Sequence, residues 1–257
     1  MPKKKRRPRK PAGRRPEHRG RPAEVAAGAD VSGPDPDGGR LPPFLDRVPD
    51  EETMQAVLAG TDEHALLVDA PLMRHADTLL RAVGAGHPYG QAGEQPGATR
   101  DLAAATGWDA GRVDALVAGL VGGGFLELRG GQLVPSAGVA PWAWPDEAPE
   151  KRVVAGRILY ATTLGAFFDG TGGAPAAQAP PLTAMALMSA VAPDGVDVPE
   201  VAEEADTVAR LRSAVRADLL ALEDIGIVTR DDDTFLASPV LITVLPAVIG
   251  DMEARLE

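Results

Sequence analysis

The sequence predicts a mainly α-helical protein with two small β-hairpins behind a long basic tail. Three observations support this prediction. Apolar residues recur at helical spacing in several segments, a helix-then-hairpin pattern occurs twice at a shift of 102 residues, and residues 1–43 have no periodic apolar face. The 257-residue chain has 44% apolar and 25% charged residues, which is typical of a globular protein with one or two domains.

The charge falls into two opposite populations. Residues 1–21 contain eleven Lys and Arg and one acid, giving +10, whereas the rest of the chain has 15 basic and 36 acidic residues, giving -21. Because the tail cannot bury enough apolar surface to offset its ordering entropy, residues 1–43 are predicted to be a disordered tail and linker. PKKKRRPRK is typical of a nuclear import signal in a eukaryote, but the Ala, Gly and Arg bias favours a high-GC bacterium. There, we expect the tail to attract nucleic-acid phosphates without sequence preference, through Lys3, Lys4, Lys5, Arg6, Arg7, Arg9 and Lys10.

The ordered part is expected to begin near Phe44. Acidic residues 50–52 predict a short helix through Leu58, because acids favour the positive end of a helix dipole. Residues 71–83 predict an amphipathic helix, with apolar side chains on one face at Leu72, Ala76, Leu79, Leu80 and Val83. A Gly- and Pro-rich loop is expected over 84–98, after which Thr99 is expected to cap a short helix that Gly107 ends.

The next segment combines a helix with a hairpin. Asp109 can cap a helix with apolar positions at 113, 116, 117 and 120, which glycines 122–124 end. The alternating runs FLEL and QLV flank Arg129-Gly130-Gly131, a hairpin signal. The order of helix, helix, longer helix and hairpin over 70–136 resembles a winged helix-turn-helix domain of the multiple-antibiotic-resistance regulator family. The resemblance implies a first winged-helix domain over residues 44–140.

An internal repeat implies a second such domain. At a shift of 102 residues, Val113, Ala115, Leu120 and Gly124 meet identical residues at 215, 217, 222 and 226. PLTAMALMSAVA and VPEVAEEA stand where the first two helices are expected, and Asp231, Asp232 and Asp233 form the turn. We therefore expect a winged-helix domain with a C-terminal helix over 182–257, with Pro246 dividing that helix. A connecting helix is predicted over 150–168, which either packs the two copies together or fills the core of its own domain.

No motif indicates catalysis or a cofactor. The absence of Cys excludes disulfides, a thiol enzyme and cysteine-ligated metal sites. The histidines (His18, His64, His75 and His87) lack the spacing of a metal site, and there is no GxSxG, Walker loop or GxGxxG. We expect a non-enzymatic protein without metal or cofactor. No signal peptide or membrane-spanning run is present, since the best apolar run, 240–249, is far short of the ~20 residues needed. We expect a cytoplasmic protein, with nucleoid association as a further option.

A winged helix that reads DNA needs donors on its third helix and wing. The first copy offers only Arg112 and Arg129, so the sequence favours the second copy as the DNA-binding one. Its candidate DNA-binding residues are Thr207, Arg210, Arg212, Ser213, Arg216 and Arg230. A solvated helix face, in which Arg212 pairs with Asp218, Glu203 or Glu204, explains the same residues equally well.

Two functions remain open. In the first, the protein associates with nucleic acid, as a transcriptional regulator would, through the second winged helix and the tail. In the second, the winged helices bind a protein partner without reading DNA. The segregation and condensation protein B family is similar in having tandem winged helices and an acidic character, although the basic tail departs from that family. In either case a protein partner or a homodimer is expected.

Overall fold

The architecture is mainly helical, with two small antiparallel sheets. The computed structural model describes residues 42–45, 49–68, 70–89, 96–137, 149–171, 176–202 and 206–256. Apart from Pro42 and Pro43, the predicted tail and linker lie outside these residues, and so do Glu203 and Glu204. No helix within the described ranges is both long and apolar enough to cross a membrane.

Among the described residues up to Pro135, the chain forms a 3₁₀ helix, five α-helices and a three-stranded sheet. A 3₁₀ helix at Pro43–Leu45 precedes α1 (Glu51–Ala59), α2 (Glu63–Val68), α3 (Pro71–Val83), β1 (His87–Pro88), α4 (Pro96–Thr106), α5 (Ala110–Gly122), β2 (Leu126–Arg129) and β3 (Gln132–Pro135). The sheet order is β1-β3-β2, with antiparallel pairing. We call Pro71–Pro135 the first repeat.

The second part has a similar order of elements. It consists of α6 (Pro149–Asp169), α7 (Pro180–Ala190), β4 (Val196–Asp197), α8 (Thr207–Ile225), β5 (Val228–Asp231), β6 (Thr234–Ala237) and α9 (Val240–Leu256). Its sheet order, β4-β6-β5, is again antiparallel. We call Pro180–Ala237 the second repeat. Both hairpins lie at the predicted shift, since every strand end of β2 and β3 recurs 102 residues later in β5 and β6. The predicted mainly helical fold with small hairpins is therefore confirmed.

Local sequence signals explain several boundaries. The carboxylate of Asp109 caps α5 by accepting from the Arg112 amide at 2.9 Å, and Asp50 caps α1 through the Thr53 amide. The first hairpin turn places Gly130 and Gly131 at φ 59° and 77°, a conformation that costs glycine little. In the second turn Asp232 takes φ 52°, which Asp tolerates better than most residues.

One buried apolar cluster runs through both repeats. Helix α6 packs against α2, α5 and α9, and α8 of the second repeat contacts α3 and α5 of the first. The span Leu41–Glu257 accordingly forms one compact unit. The helix predicted over 150–168 is α6, and its contacts with α5 and α9 mean that it joins the two parts of the chain.

Four local predictions are wrong: the loop over 84–98, the cap at Thr99, the helix at VPEVAEEA and the division of the C-terminal helix at Pro246. The loop predicted over 84–98 contains strand β1, and α4 begins at Pro96 rather than after Thr99. Proline is favoured in the first turn of a helix because the missing amide would have no partner there. Thr99 is therefore inside α4, and its hydroxyl donates to Asp114 at 2.8 Å instead of capping.

The helix predicted at VPEVAEEA is absent from its described part, residues 198–202. Pro199 disfavours helical geometry at Val198, which stays extended. Its amide donates to the Asp233 carbonyl at 3.0 Å and its carbonyl accepts from Arg216. Val198 thereby continues the edge of the second sheet.

Pro246 does not divide the C-terminal helix, because α9 runs from Val240 to Leu256 with the proline inside it. The side chains of Leu245 and Val248 on either side are buried in the core, whereas Pro246 is exposed. Water can therefore satisfy the carbonyl that loses its amide partner, and packing holds the helix together.

Candidate functional site

The candidate reading helix of the second repeat is α8. Asp206 caps it by accepting from the Ala209 amide at 2.7 Å, which fixes where the helix begins. Thr207 and Arg210 are exposed in this first part of the helix. Nη2 of Arg210 donates to the hydroxyl oxygen of Thr207 at 3.4 Å. Ser213, one turn further on, is half-buried. Of the predicted donors, Thr207 and Arg210 are the ones that α8 leaves open to solvent.

Arg212 lies against the start of the described chain. Its guanidinium carbon is 5.4 Å from the ring centre of Phe44, and its buried Nε has no hydrogen-bond partner among the described residues. The 3₁₀ helix that carries Phe44 also contacts α7 and β4, and Leu45 is fully buried. This segment therefore packs between α7 and α8, as α4 packs between α3 and α5 in the first repeat.

Arg216 is directed into the second sheet. Its guanidinium pairs with Asp233 at 2.8 Å, donates to the carbonyl of Val198 and lies 5.9 Å from the ring centre of Phe235. Only 13% of its side chain is exposed. Arg216 joins α8 to the hairpin turn through Nη1, and these contacts hold the guanidinium against the sheet.

The arginine of the second hairpin, Arg230, is also engaged within the chain. Arg230 Nε pairs with Glu223 at 2.9 Å, and Arg230 also donates to the carbonyl of Asp232 at 3.3 Å. The neighbouring carboxylates at 231–233 make the tip of this hairpin negative overall. A phosphate backbone would be repelled by such a tip.

In the first repeat, Arg112 faces the second repeat rather than solvent. Its Nη2 lies 2.6 Å from Nε2 of His75, and its guanidinium stacks on Trp108 with 4.3 Å to the ring centre. Burial lowers the pKa of Arg112, and the nearby carboxylates of Asp224 and Asp109 act in the opposite direction. On the hairpin, Arg129 pairs with Glu127 at 2.6 Å.

Asp218, which the sequence suggests as a partner of Arg212, instead supports another helix. It is 2% exposed and accepts from the amides of Gln178 and Ala179 and from the hydroxyl of Thr183, at 2.8, 3.0 and 2.6 Å. The carboxylate thus fixes the start of α7, whose N-terminal amides and dipole favour negative charge. The alternative partners Glu203 and Glu204 lie outside the described residues, as do the tail cations at 3–10.

An exposed apolar group of four side chains lies on the neighbouring helices α2 and α6. Its members are Leu66, Val68, Val154 and Ile158, with Val154 the most exposed at 54%. Gly156 lets α2 approach closely, because a Cβ atom there would lie 2.8 Å from Leu67. Arg157 of α6 pairs with Glu63 of α2 at the same contact. We call these four side chains the apolar face. The sequence does not predict it, because helical spacing alone does not show which stripe of α6 is left uncovered.

No metal-ligating cluster occurs among the described residues. No three His, Asp or Glu side chains there converge as metal ligands. A cleft of about 280 Å³ between α5, α6 and α9 is lined half by Ala and Gly and also by Asp169, Asp251 and two threonines. The hydroxyl of one of these, Thr162, already donates to carbonyls of α5 and α6. Asp114 accepts from Thr99 and Tyr89, and burial raises the pKa of Asp114, but this group braces α4 against α5.

Comparison with known proteins yields no match among family models, curated protein sequences or solved structures.

Proposed function

We propose that this chain is a non-enzymatic interaction protein in which two winged-helix units share one core and bind a protein partner rather than reading bases in a DNA groove. The observation that carries this proposal is that the arginines of the candidate reading helices and of the second hairpin, other than the exposed Arg210, are engaged within the chain. Arg112, Arg212, Arg216 and Arg230 all contact side chains or carbonyls of the chain itself.

The order of elements supports two winged-helix units. Each repeat has a helix, a short strand, a long helix and a hairpin whose second strand pairs with the short one. The first repeat has α4 between β1 and α5, as a winged helix does. In the second repeat, the described residues between β4 and α8 contain no helix, and the segment at Pro43–Leu45 packs in the corresponding place.

Electrostatics also favour a protein partner. A groove-reading helix must bring unpaired donors to base edges and phosphates, and a winged helix sets its hairpin on the backbone. Here the second hairpin ends in three aspartates, and residues 22–257 carry -21. The apolar face instead offers large apolar side chains, which protein interfaces use at their centre. The partner would therefore present apolar side chains to α2 and α6.

A second candidate function is nucleic-acid association, as the sequence predicts. Thr207 and Arg210 are exposed at the start of α8, and Lys3, Lys4, Lys5, Arg6, Arg7, Arg9 and Lys10 add cations in the tail. Binding through such a tail is insensitive to sequence and weakens steeply with salt.

Two glutamate substitutions separate the two functions, and each is the control for the other. Val208 and Ile158 are similarly exposed, at 39% and 40%, but Val208 lies on α8 and Ile158 on the apolar face. Ile158→Glu should weaken partner binding by about tenfold, roughly the effect of losing 1.4 kcal/mol at an interface, and leave DNA binding unchanged. Co-purification and sedimentation of the full chain would measure the loss, and sedimentation would also reveal a second copy as the partner.

The corresponding DNA measurement is a gel shift with the full chain and with a chain starting at Pro42, which keeps the buried Leu45. We expect removal of residues 1–41 to abolish binding, and Val208→Glu and Arg210→Ala to have no effect. Arg100→Ala provides an exposed cation elsewhere as a further control. Sequence-specific binding by the shortened chain that is lost in Val208→Glu and Arg210→Ala would reject the proposal and establish groove reading by α8.

A further inference from the structure

His75 lies where the two repeats meet. Its Nδ1 is 2.8 Å from the carbonyl oxygen of Ile225, at the end of α8, and its Nε2 is 2.6 Å from Arg112 on α5. A carbonyl can only accept a hydrogen bond and a guanidinium can only donate one. The two contacts together therefore require a neutral ring that carries its proton on Nδ1.

We propose that His75 is a pH-sensitive clasp between the two repeats, which holds α3 to α5 and α8 while the ring is neutral and releases them when the ring is protonated. The inference goes beyond the proposed function, because it concerns how the body is held together and not what it binds.

Neighbouring backbone makes this contact a close one. The amide of Leu72 donates to the carbonyl of Gly226 at 3.0 Å, a direct hydrogen bond between α3 and the segment after α8. A Cβ atom at position 226 would lie 2.7 Å from Nδ1 of His75 and 2.8 Å from the Leu72 nitrogen. Trp108 covers the same contact, with its ring 5.3 Å from that of His75 and nearly edge-on.

The charges around the ring oppose its protonation. Arg112 from α5 and Arg74 from α3 are both cationic, and a proton on Nε2 would remove the acceptor that Arg112 uses and place a second positive charge beside it. Asp109 at the start of α5 and Asp224 on α8 act on Arg112 and offset part of this repulsion. Burial is the largest cause that lowers the pKa of His75, Arg112 and Arg74 lower it further, and the Ile225 carbonyl raises it.

The direction of the pH effect follows from the lowered pKa of His75. Above the pKa of an unfolded histidine, about 6.5, the ring is neutral in both the open and the closed state, and the clasp is at full strength. As the pH falls below that value the open form takes up the proton first, so the closed form loses stability until the pH reaches the lower pKa of the closed form. Acid therefore opens the clasp.

Hydrogen exchange of the Leu72 amide in the full chain tests the proposal. Between about pH 7.5 and pH 5, the protection factor of this amide should fall by up to about tenfold for each unit by which the His75 pKa is lowered. In His75→Gln, whose amide side chain does not titrate, the fall should disappear. His64→Gln, a histidine of α2 outside this contact, should behave as the wild type.

A second measurement keeps the test decisive if His75→Gln fails to fold. Nitrogen NMR of the wild-type ring should show the Nδ1-protonated neutral form at about pH 7.5 and a midpoint below about 6.5 that coincides with the loss of Leu72 protection. An Nε2-protonated ring at neutral pH, or an equal loss of protection in His75→Gln, would overturn the clasp.

Discussion

Gly124 and Gly226 occupy the same place in the two repeats, 102 residues apart, yet their surroundings differ. Both follow a long helix and take a positive φ, 71° and 93°. A Cβ atom at Gly124 would meet no atom within 4 Å, whereas one at Gly226 would collide with His75 and Leu72. At Gly226, therefore, the absence of a side chain serves both the turn and the contact between the repeats.

Alanine at these two positions should separate the two roles. Gly124→Ala should cost about 1 kcal/mol of unfolding free energy, because only the left-handed backbone is penalised. Gly226→Ala should cost about 3 kcal/mol, since the collision adds an overpacking term. Urea denaturation of both variants measures the difference, and equal losses would mean that the contact beside His75 contributes nothing.

At the scale of the elements, α6 joins the two parts through small residues. The hydroxyl of Thr162 donates to the carbonyl of Gly119 on α5 at 2.8 Å, and Thr163 is fully buried against the same glycine. Gly165, by contrast, lines the cleft between α5, α6 and α9, and a Cβ atom there would meet nothing within 4 Å. The glycine on α5 is thus required by packing, and the one on α6 is not.

Alanine substitutions at these two glycines should change the unfolding free energy in opposite directions. Gly165→Ala should raise the unfolding free energy by about 0.5 to 1 kcal/mol, because alanine is the better helix former. Gly119→Ala should lower it by about 1 to 2 kcal/mol, since the collision with Thr163 exceeds that gain. Thermal unfolding of the pair checks both signs, and a stabilising Gly119→Ala would contradict the close approach of α5 and α6.

Elements with a complete local signal are the ones that the sequence predicts well. Helix α5 has a capping Asp109, a periodic apolar face and terminal glycines, and it lies where expected. Strands β1 and β4 have two residues each, too few for an alternating pattern, and both are defined by pairing with a distant hairpin. Arg216 shows the same limit at the candidate site. Its spacing on α8 identifies an arginine-rich face, but not that Asp233 and Val198 hold its Nη1 against the second sheet.

At the scale of the whole molecule, the body should unfold as one unit. A single apolar cluster spans both repeats, and α6 contacts elements of each part. One-step cooperative unfolding is usual for single domains below about 150 residues, and the shared core extends the same expectation to this larger body. We expect helix content and tryptophan fluorescence of the chain starting at Pro42 to change together in urea. Two separate transitions would show that the repeats are independent.

The shared core also limits how the chain can be divided. A single cut between Ala137 and Pro149 in the folded protein should leave both pieces associated, because α6 stays bound to α5. If the same pieces are produced as separate fragments, each should expose a broad apolar surface to water and tend to precipitate. The two repeats therefore depend on each other for folding, and neither is expected to fold when it is moved alone into another protein.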